Sequence, residues 1–178
     1  MEMNLQGVAV EIVRGDITKQ PDMDAVVNAA NAELMPGGGV AGAIHRGAGP
    51  GLAKECRPLA PIVPGEAVVT DAYDLPNRWI IHCLGPVYGR DEPEAELLTA
   101  CYRNALGLAE EKGVASIAFP AISAGAFGYP AMEAAEVAAH AMTMVAPGLK
   151  SLRRVRFVLF GAAMERAFTR AFERSVTP

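Results

Sequence analysis

The sequence predicts an α/β protein with a largely parallel central sheet covered on both faces by helices. Two observations predict it. Short apolar runs of strand length alternate with longer helical stretches, and no Asn-Gly or Asp-Gly dipeptide joins two of those runs as a hairpin. In open sheets of this kind a ligand lies beyond the carboxyl ends of the strands, and two strand ends here lead directly into glycine-rich loops.

Val8, Val10 and Ile12 alternate with Ala9, Glu11 and Val13 in a first strand that ends near Arg14-Gly15. Ala25-Val26-Val27-Asn28-Ala29-Ala30 is nearly continuous in apolar character, as a strand buried on both faces would be. After Pro36-Gly37-Gly38-Gly39, the segment from Val40 to Ala48 reads as helix. Val68 with its neighbours, and Trp79 to Leu84, give two strands connected through Asp74-Leu75-Pro76-Asn77. Pro93 suits the first turn of the next helix, where Asp91, Glu92, Glu94 and Glu96 place negative charge near the positive end. Leu97, Cys101, Ala105 and Leu108 form its expected buried face, and Gly113 its stop. Ser116 to Ile122 is a strand, Pro130 opens a further helix, and Val155 to Phe160 is the last strand. Met164, Phe168 and Phe172 line one face of the closing helix.

At 178 residues, 51% hydrophobic and 20% charged, the chain is expected to form one domain over 1–178. A domain of this size buries roughly 70% of its unfolded surface. A net charge of −4 argues against a broad DNA-binding face, because phosphate backbones select for basic surfaces. It does not argue against one small anion held by main-chain amides. No apolar run approaches the ~20 residues of a membrane span, and Met1-Glu2-Met3-Asn4 lacks a secretory start. Cys56, Cys83 and Cys101 form no CxxC pair and fit a reduced compartment, so a cytoplasmic location is expected. His45, His82 and His140 lack metal spacing; neither a metal nor a cofactor is expected, and a monomer is compatible with the sequence. Arg153, Arg154 and Arg156 read as a solvated basic edge.

The first glycine loop runs from Asn28-Ala29-Ala30-Asn31 through Gly37-Gly38-Gly39-Val40-Ala41-Gly42. Consecutive glycines let a ligand approach the amides closely, and a helix starting just after them adds partial positive charge. The second loop is Ser123-Ala124-Gly125-Ala126-Phe127-Gly128-Tyr129-Pro130. Each loop alone reads as half of a diphosphate cradle or as an ordinary turn with packed aromatics. Neither is a Walker A motif or a full dinucleotide fingerprint.

As a set, these segments resemble the macrodomain family. The likeness runs through Gly15-Asp16-Ile17-Thr18, Val27-Asn28-Ala29-Ala30-Asn31, Gly37-Gly38-Gly39-Val40 and Gly42-Ala43-Ile44-His45. It continues through His82-Cys83-Leu84-Gly85-Pro86, Phe119-Pro120-Ala121-Ile122-Ser123-Ala124-Gly125 and Phe127-Gly128-Tyr129-Pro130, in family order from about Val8 to Phe172. The resemblance implies a three-layer α/β/α fold with a mixed, largely parallel sheet and ADP-ribose in a deep cleft. Asp16 would accept a hydrogen bond from the adenine amino group, the Ile17 backbone would help read the ring, and Phe160 would stack on it. Gly38, Gly39, Val40 and Ala41 would line the diphosphate from one side, and Ser123, Ala124, Gly125, Ala126 and Phe127 from the other. Asn31 and Phe127 would serve catalysis at the distal ribose. Asn28 would either contact ligand or only fix the loop, and His45 and His82 would be packing residues.

The chain departs from the family pattern at Ala41, where many hydrolytic members carry an aspartate. A general base contributes about 10²–10⁴-fold, so its absence bears on mechanism. Viral macrodomains similar to this chain share the Gly-Gly-Gly-Val-Ala-Gly segment, and that branch includes hydrolases. A water held by Asn31 and a ligand phosphate oxygen would then replace the side-chain base. The implied activity is removal of mono-ADP-ribose from acidic side chains of proteins, or deacetylation of O-acetyl-ADP-ribose. The alternatives are a non-catalytic ADP-ribose-binding module and an ADP-ribose 1″-phosphate phosphatase.

Overall fold

The computed structural model describes residues 1–177. In chain order the elements are β1 (Glu2–Leu5), β2 (Val8–Arg14), β3 (Ala25–Ala29), α1 (Gly39–Ala48), α2 (Gly51–Cys56), β4 (Ala67–Asp71), β5 (Trp79–Cys83), α3 (Glu94–Glu111), β6 (Ser116–Phe119), α4 (Ala131–Val145), β7 (Arg154–Leu159) and α5 (Ala162–Val176). Short 3₁₀ turns follow α2 and α4. The strands form one sheet in the order β1-β2-β7-β6-β3-β5-β4. The inner five are parallel, and the antiparallel edge strands β1 and β4 make the sheet mixed.

Side-chain alternation along each strand divides the core into two layers. Ala25 and Val27 of β3, Ile117 and Phe119 of β6, and Val155, Phe157 and Leu159 of β7 face α3, α4 and α5. Val26, Ala118 and Val158 on the same strands face the opposite side, where Ile44 and Ala48 of α1 and Leu52 and Cys56 of α2 pack. Phe157 anchors the larger layer, with Phe172 5.0 Å, Phe168 5.4 Å and Phe119 5.6 Å away between ring centroids. All three cysteines are buried and free. No helix among the described residues is long and apolar enough to cross a membrane.

Three features differ from the sequence expectation, each for a local reason. β1 joins β2 through Gln6-Gly7, both at positive φ (51° and 92°), so a two-residue hairpin forms without the Asn-Gly signal. The buried face of α3 is wider than expected and rotated: Leu98, Tyr102, Leu106 and Ala109 join Cys101 and Ala105, while Leu97 and Leu108 lie at its border. Tyr102 packs 5.2 Å from Phe119, which draws that face inward. The basic edge is not free. Arg156 forks onto Asp22 (2.7 and 2.8 Å) and bonds Glu11 at 2.6 Å, and Arg154 bonds the same two carboxylates.

The amino edge of the sheet is tied by carboxylates. Asp24 Oδ2 accepts the amides of Ala115 and Ser116, and its own amide donates to Ser116 Oγ. Glu110 accepts the amides of Lys150, Ser151 and Leu152. Trp79, the single tryptophan of the sequence, opens β5 at this edge, with Lys112 Nζ 4.3 Å from its ring centroid.

Candidate functional site

The five parallel strands all deliver their chains to one edge. Register pairs Arg14 with Leu159, Phe119 with Phe157, Val26 with Ala118 and Ala29 with Cys83. The segments leaving them therefore follow one another along the carboxyl edge: Gly15 to Thr18, Phe160-Gly161, the Ser123 loop, the Asn31–Gly38 loop, and Leu84 to Asp91. The two glycine loops leave adjacent strands, β6 and β3.

Asn31 closes its own loop. Its Nδ2 donates to Met35 O at 2.7 Å and its Oδ1 accepts from Met35 N at 3.0 Å. Leu34, at φ 56°, is turned fully into the core between them. The chain then passes Gly37 and Gly38 and enters α1 at Gly39, whose φ of 57° is left-handed. No side chain caps this helix, and first-turn amides have no acceptor within a helix. The amides of Gly39, Val40 and Ala41 are thus available to an anion. A Cβ built at Gly38 or Gly39 would meet nothing within 4 Å, so the space before them is open. A Cβ at Gly42 would collide with the Gly37 carbonyl; glycine there lets the helix close against the loop. Ala41, in the first turn of α1, is buried and brings only a methyl group to this loop.

The second loop is shaped by Ser123, a buried serine at φ 64° whose hydroxyl has no partner among the described residues. Tyr129 N donates to Ser123 O (2.9 Å) and Gly128 N to Gly125 O (3.0 Å), which folds the loop back on itself. The amides of Ser123, Gly125, Ala126 and Phe127 meet no acceptor among the described residues, and a Cβ at Gly125 would again meet open space. Ala124 is the exception, its amide bonding Ala121 O at 3.2 Å. Phe127 packs against the same apolar layer as Met35 and Val40 of the first loop, so the two loops share a floor.

At the far end, Asp16 is exposed, and its Oδ1 accepts from Thr18 Oγ1 (2.6 Å) and Thr18 N (2.9 Å). These bonds hold its carboxyl below the usual range, leaving an ionised group with Oδ2 free. Ile17 is buried beneath it, and its amide meets no acceptor among the described residues. Phe160, one residue past β7, is 99% exposed.

Asn28, His45 and His82 lie within the core, whereas His140 is exposed. Asn28 is 1% exposed and donates from Nδ2 to His82 Nδ1 at 3.0 Å across the β3–β5 pair. His82 Nε2 meets Thr70 Oγ1 at 2.9 Å, and Thr70 donates to Asp71 O. This chain fixes a neutral His82 protonated on Nε2. Burial, with the nearby His45, pushes its pKa down to about 3. His45 is likewise lowered by burial. Sequence reasoning did not single out Tyr88 or the segment leaving β5, although Gly85-Pro86 marked its start. A Cβ at Gly85 would strike Ser123, and Tyr88 N donates to Phe127 O at 2.9 Å, so this segment is built into the second loop.

The arrangement offers two sets of unpaired amides on neighbouring strand ends, an exposed aromatic ring, and an acceptor carboxylate two strands away. The Macro domain family matches residues 27–138 of this chain. A macro domain-containing protein of Streptomyces coelicolor is 46% identical over 165 residues, covering 89% of this chain and 95% of its own. An O-acetyl-ADP-ribose deacetylase of Klebsiella pneumoniae is 48% identical over 158 residues, covering 86% and 90%. The Oceanobacillus iheyensis macrodomain, solved with ADP, superposes with a TM-score of 0.93 at 38% identity, covering 98% of this chain and 95% of the other. A variant of that protein has been solved with ADPR.

Proposed function

The chain belongs to the macrodomain family, and from that premise we propose that it binds ADP-ribose along the carboxyl edge of its sheet and hydrolyses ADP-ribose adducts. The observation that carries the reading is the pair of open amide loops on adjacent strands β6 and β3, with Phe160 and Asp16 beyond them on β7 and β2. Three strand intervals of about 4.8 Å each separate β2 from β3, a span of about 14 Å that suits adenine at one end and diphosphate at the other.

The main-chain amides hold the diphosphate by hydrogen bonds and their dipoles, without any basic side chain. Asp16 accepts the adenine amino group through Oδ2, and Phe160 lends its open face to the ring. Asn31 spends one donor and one acceptor site on Met35, which leaves one N–H and one lone pair for the distal ribose or a water. With Ala41 offering no carboxylate, a phosphate oxygen of the ligand takes the proton. Water bonds to the anomeric carbon, the bond to the acyl oxygen breaks, and the carboxylate departs. Positioning and charge stabilisation carry such a step, without the about 10²–10⁴-fold of a side-chain base. The 48% identity to a deacetylase favours turnover over binding alone.

The test is incubation with auto-ADP-ribosylated protein and measurement of released ADP-ribose. Slow release proportional to enzyme is expected. No release above buffer at stoichiometric enzyme would leave a binding module, and phosphate release from ADP-ribose 1″-phosphate would identify the phosphatase.

A further inference from the structure

The order of strands along the carboxyl edge dictates an order of parts along any ligand lying across it. With adenine over β2 and β7 and diphosphate over β6 and β3, the next strand is β5. A group attached to the distal ribose therefore meets the segment that leaves β5. That segment is stiff. Val87 N donates to Asp91 Oδ2 (2.8 Å), and the amides of Arg90 and Asp91 return to Val87 O at 3.0 and 2.9 Å. Tyr88 N is fastened to Phe127 O beside the distal-ribose position. The Tyr88 ring lies 5.0 Å from that of buried Tyr129, inclined by 60°, while remaining 44% exposed. The ring is thus held beside Tyr129 and remains partly open to solvent. Next to it the Arg90 guanidinium forks onto both Asp91 oxygens at 3.4 Å, and Asp91, Glu92, Glu94 and Glu96 leave the neighbouring segment net negative.

We propose that Tyr88 contacts the polypeptide that carries the ADP-ribose, and that it favours the modified polypeptide over the free nucleotide. The assignment rests on the cleft reading above. The ring supplies an immobile apolar contact with little ordering cost, while the net-negative segment beside it adds no attraction for further carboxylates.

Two probes compared by calorimetry test it: free ADP-ribose, and an acidic peptide carrying ADP-ribose through a linkage resistant to hydrolysis. Tyr88→Ala is expected to weaken the peptide about tenfold while moving free ADP-ribose less than about twofold. Tyr88→Phe, which keeps the packing on Tyr129, is expected to retain peptide affinity. Equal losses on both probes would reduce Tyr88 to a support for Phe127 and overturn the proposal, as would no loss on either. If the unaltered protein binds neither probe, the cleft reading itself falls; if it binds both and the variants do not discriminate, only this assignment falls.

Discussion

At the amino edge of the sheet, Asp24 and Glu110 take up the amides of the segments entering β6 and β7. At the carboxyl edge, the amides at the start of α1 and those of Gly125 to Phe127 are left without an acceptor. The same backbone chemistry is used up by the protein at one edge and exposed at the other. A main-chain amide open to water costs little, whereas one satisfied by an internal carboxylate contributes about 1.5–3 kcal/mol. The amino edge therefore holds the fold, and the carboxyl edge is available for recognition.

This division can be broken by substitutions that act on one edge only. The largest expected effect is on affinity: Gly39→Glu places a carboxylate before the open amides and should weaken ADP-ribose about 100-fold or more. The left-handed φ should also lower its stability by about 1–2 kcal/mol although the space is open, so affinity is read well below the unfolding transition. Unchanged calorimetric affinity would remove the placement of the diphosphate. The mirror experiment is Glu110→Ala, expected to cost about 2 kcal/mol in urea unfolding with ADP-ribose affinity unaltered. Phe160→Ala should weaken ADP-ribose about tenfold and leave the unfolding curve in place, because the ring is 99% exposed and packs on nothing.

The smallest effect sharpens the comparison through pH. Burial raises the Glu110 carboxyl, but amide bonds from Leu152, Lys150 and Ser151 outweigh it and pull it below its usual value. The Arg156 fork pulls Asp22 down further. A depressed carboxyl contributes stability that is complete above its unfolded pKa, about 4 for these groups, and is lost as pH falls through the folded one. The urea midpoint should thus hold steady above about pH 5 and decline below about pH 4. Glu110→Gln should make that decline shallower, and an unaltered slope would assign the acid sensitivity elsewhere.

The carboxyl edge was the more legible half. Its strands are apolar runs, and its loops are punctuated by Gly37-Gly38-Gly39 and Gly125, which local conformational rules read directly. Apolar patterning places Phe160 at a strand end and family resemblance gives it a stacking role, and its exposure follows from lying one residue past β7. The amino edge left no comparable trace. Asp24 bonds residues 91 and 92 positions away, and Glu110 residues 40 to 42 positions away. Nothing in the neighbouring sequence marks a carboxylate that works at such distance. The pairing of Asn28 with His82 is equally non-local, 54 residues apart and visible only once β3 and β5 are in register. Family resemblance marks Asn31 as a polar group of the first glycine loop, but its engagement with Met35 requires the turn at Leu34, which apolar patterning does not announce.

The position of Trp79 separates two signals that usually overlap. It stands at the start of β5, roughly 13 Å of strand from the residues at its far end, with a lysine ammonium for a neighbour. Tryptophan emission, excited apart from the tyrosines, is expected to report the melting of that end and to stay unchanged when ADP-ribose is added. One cuvette can then follow unfolding optically while heat or anisotropy follows occupancy, neither readout contaminating the other.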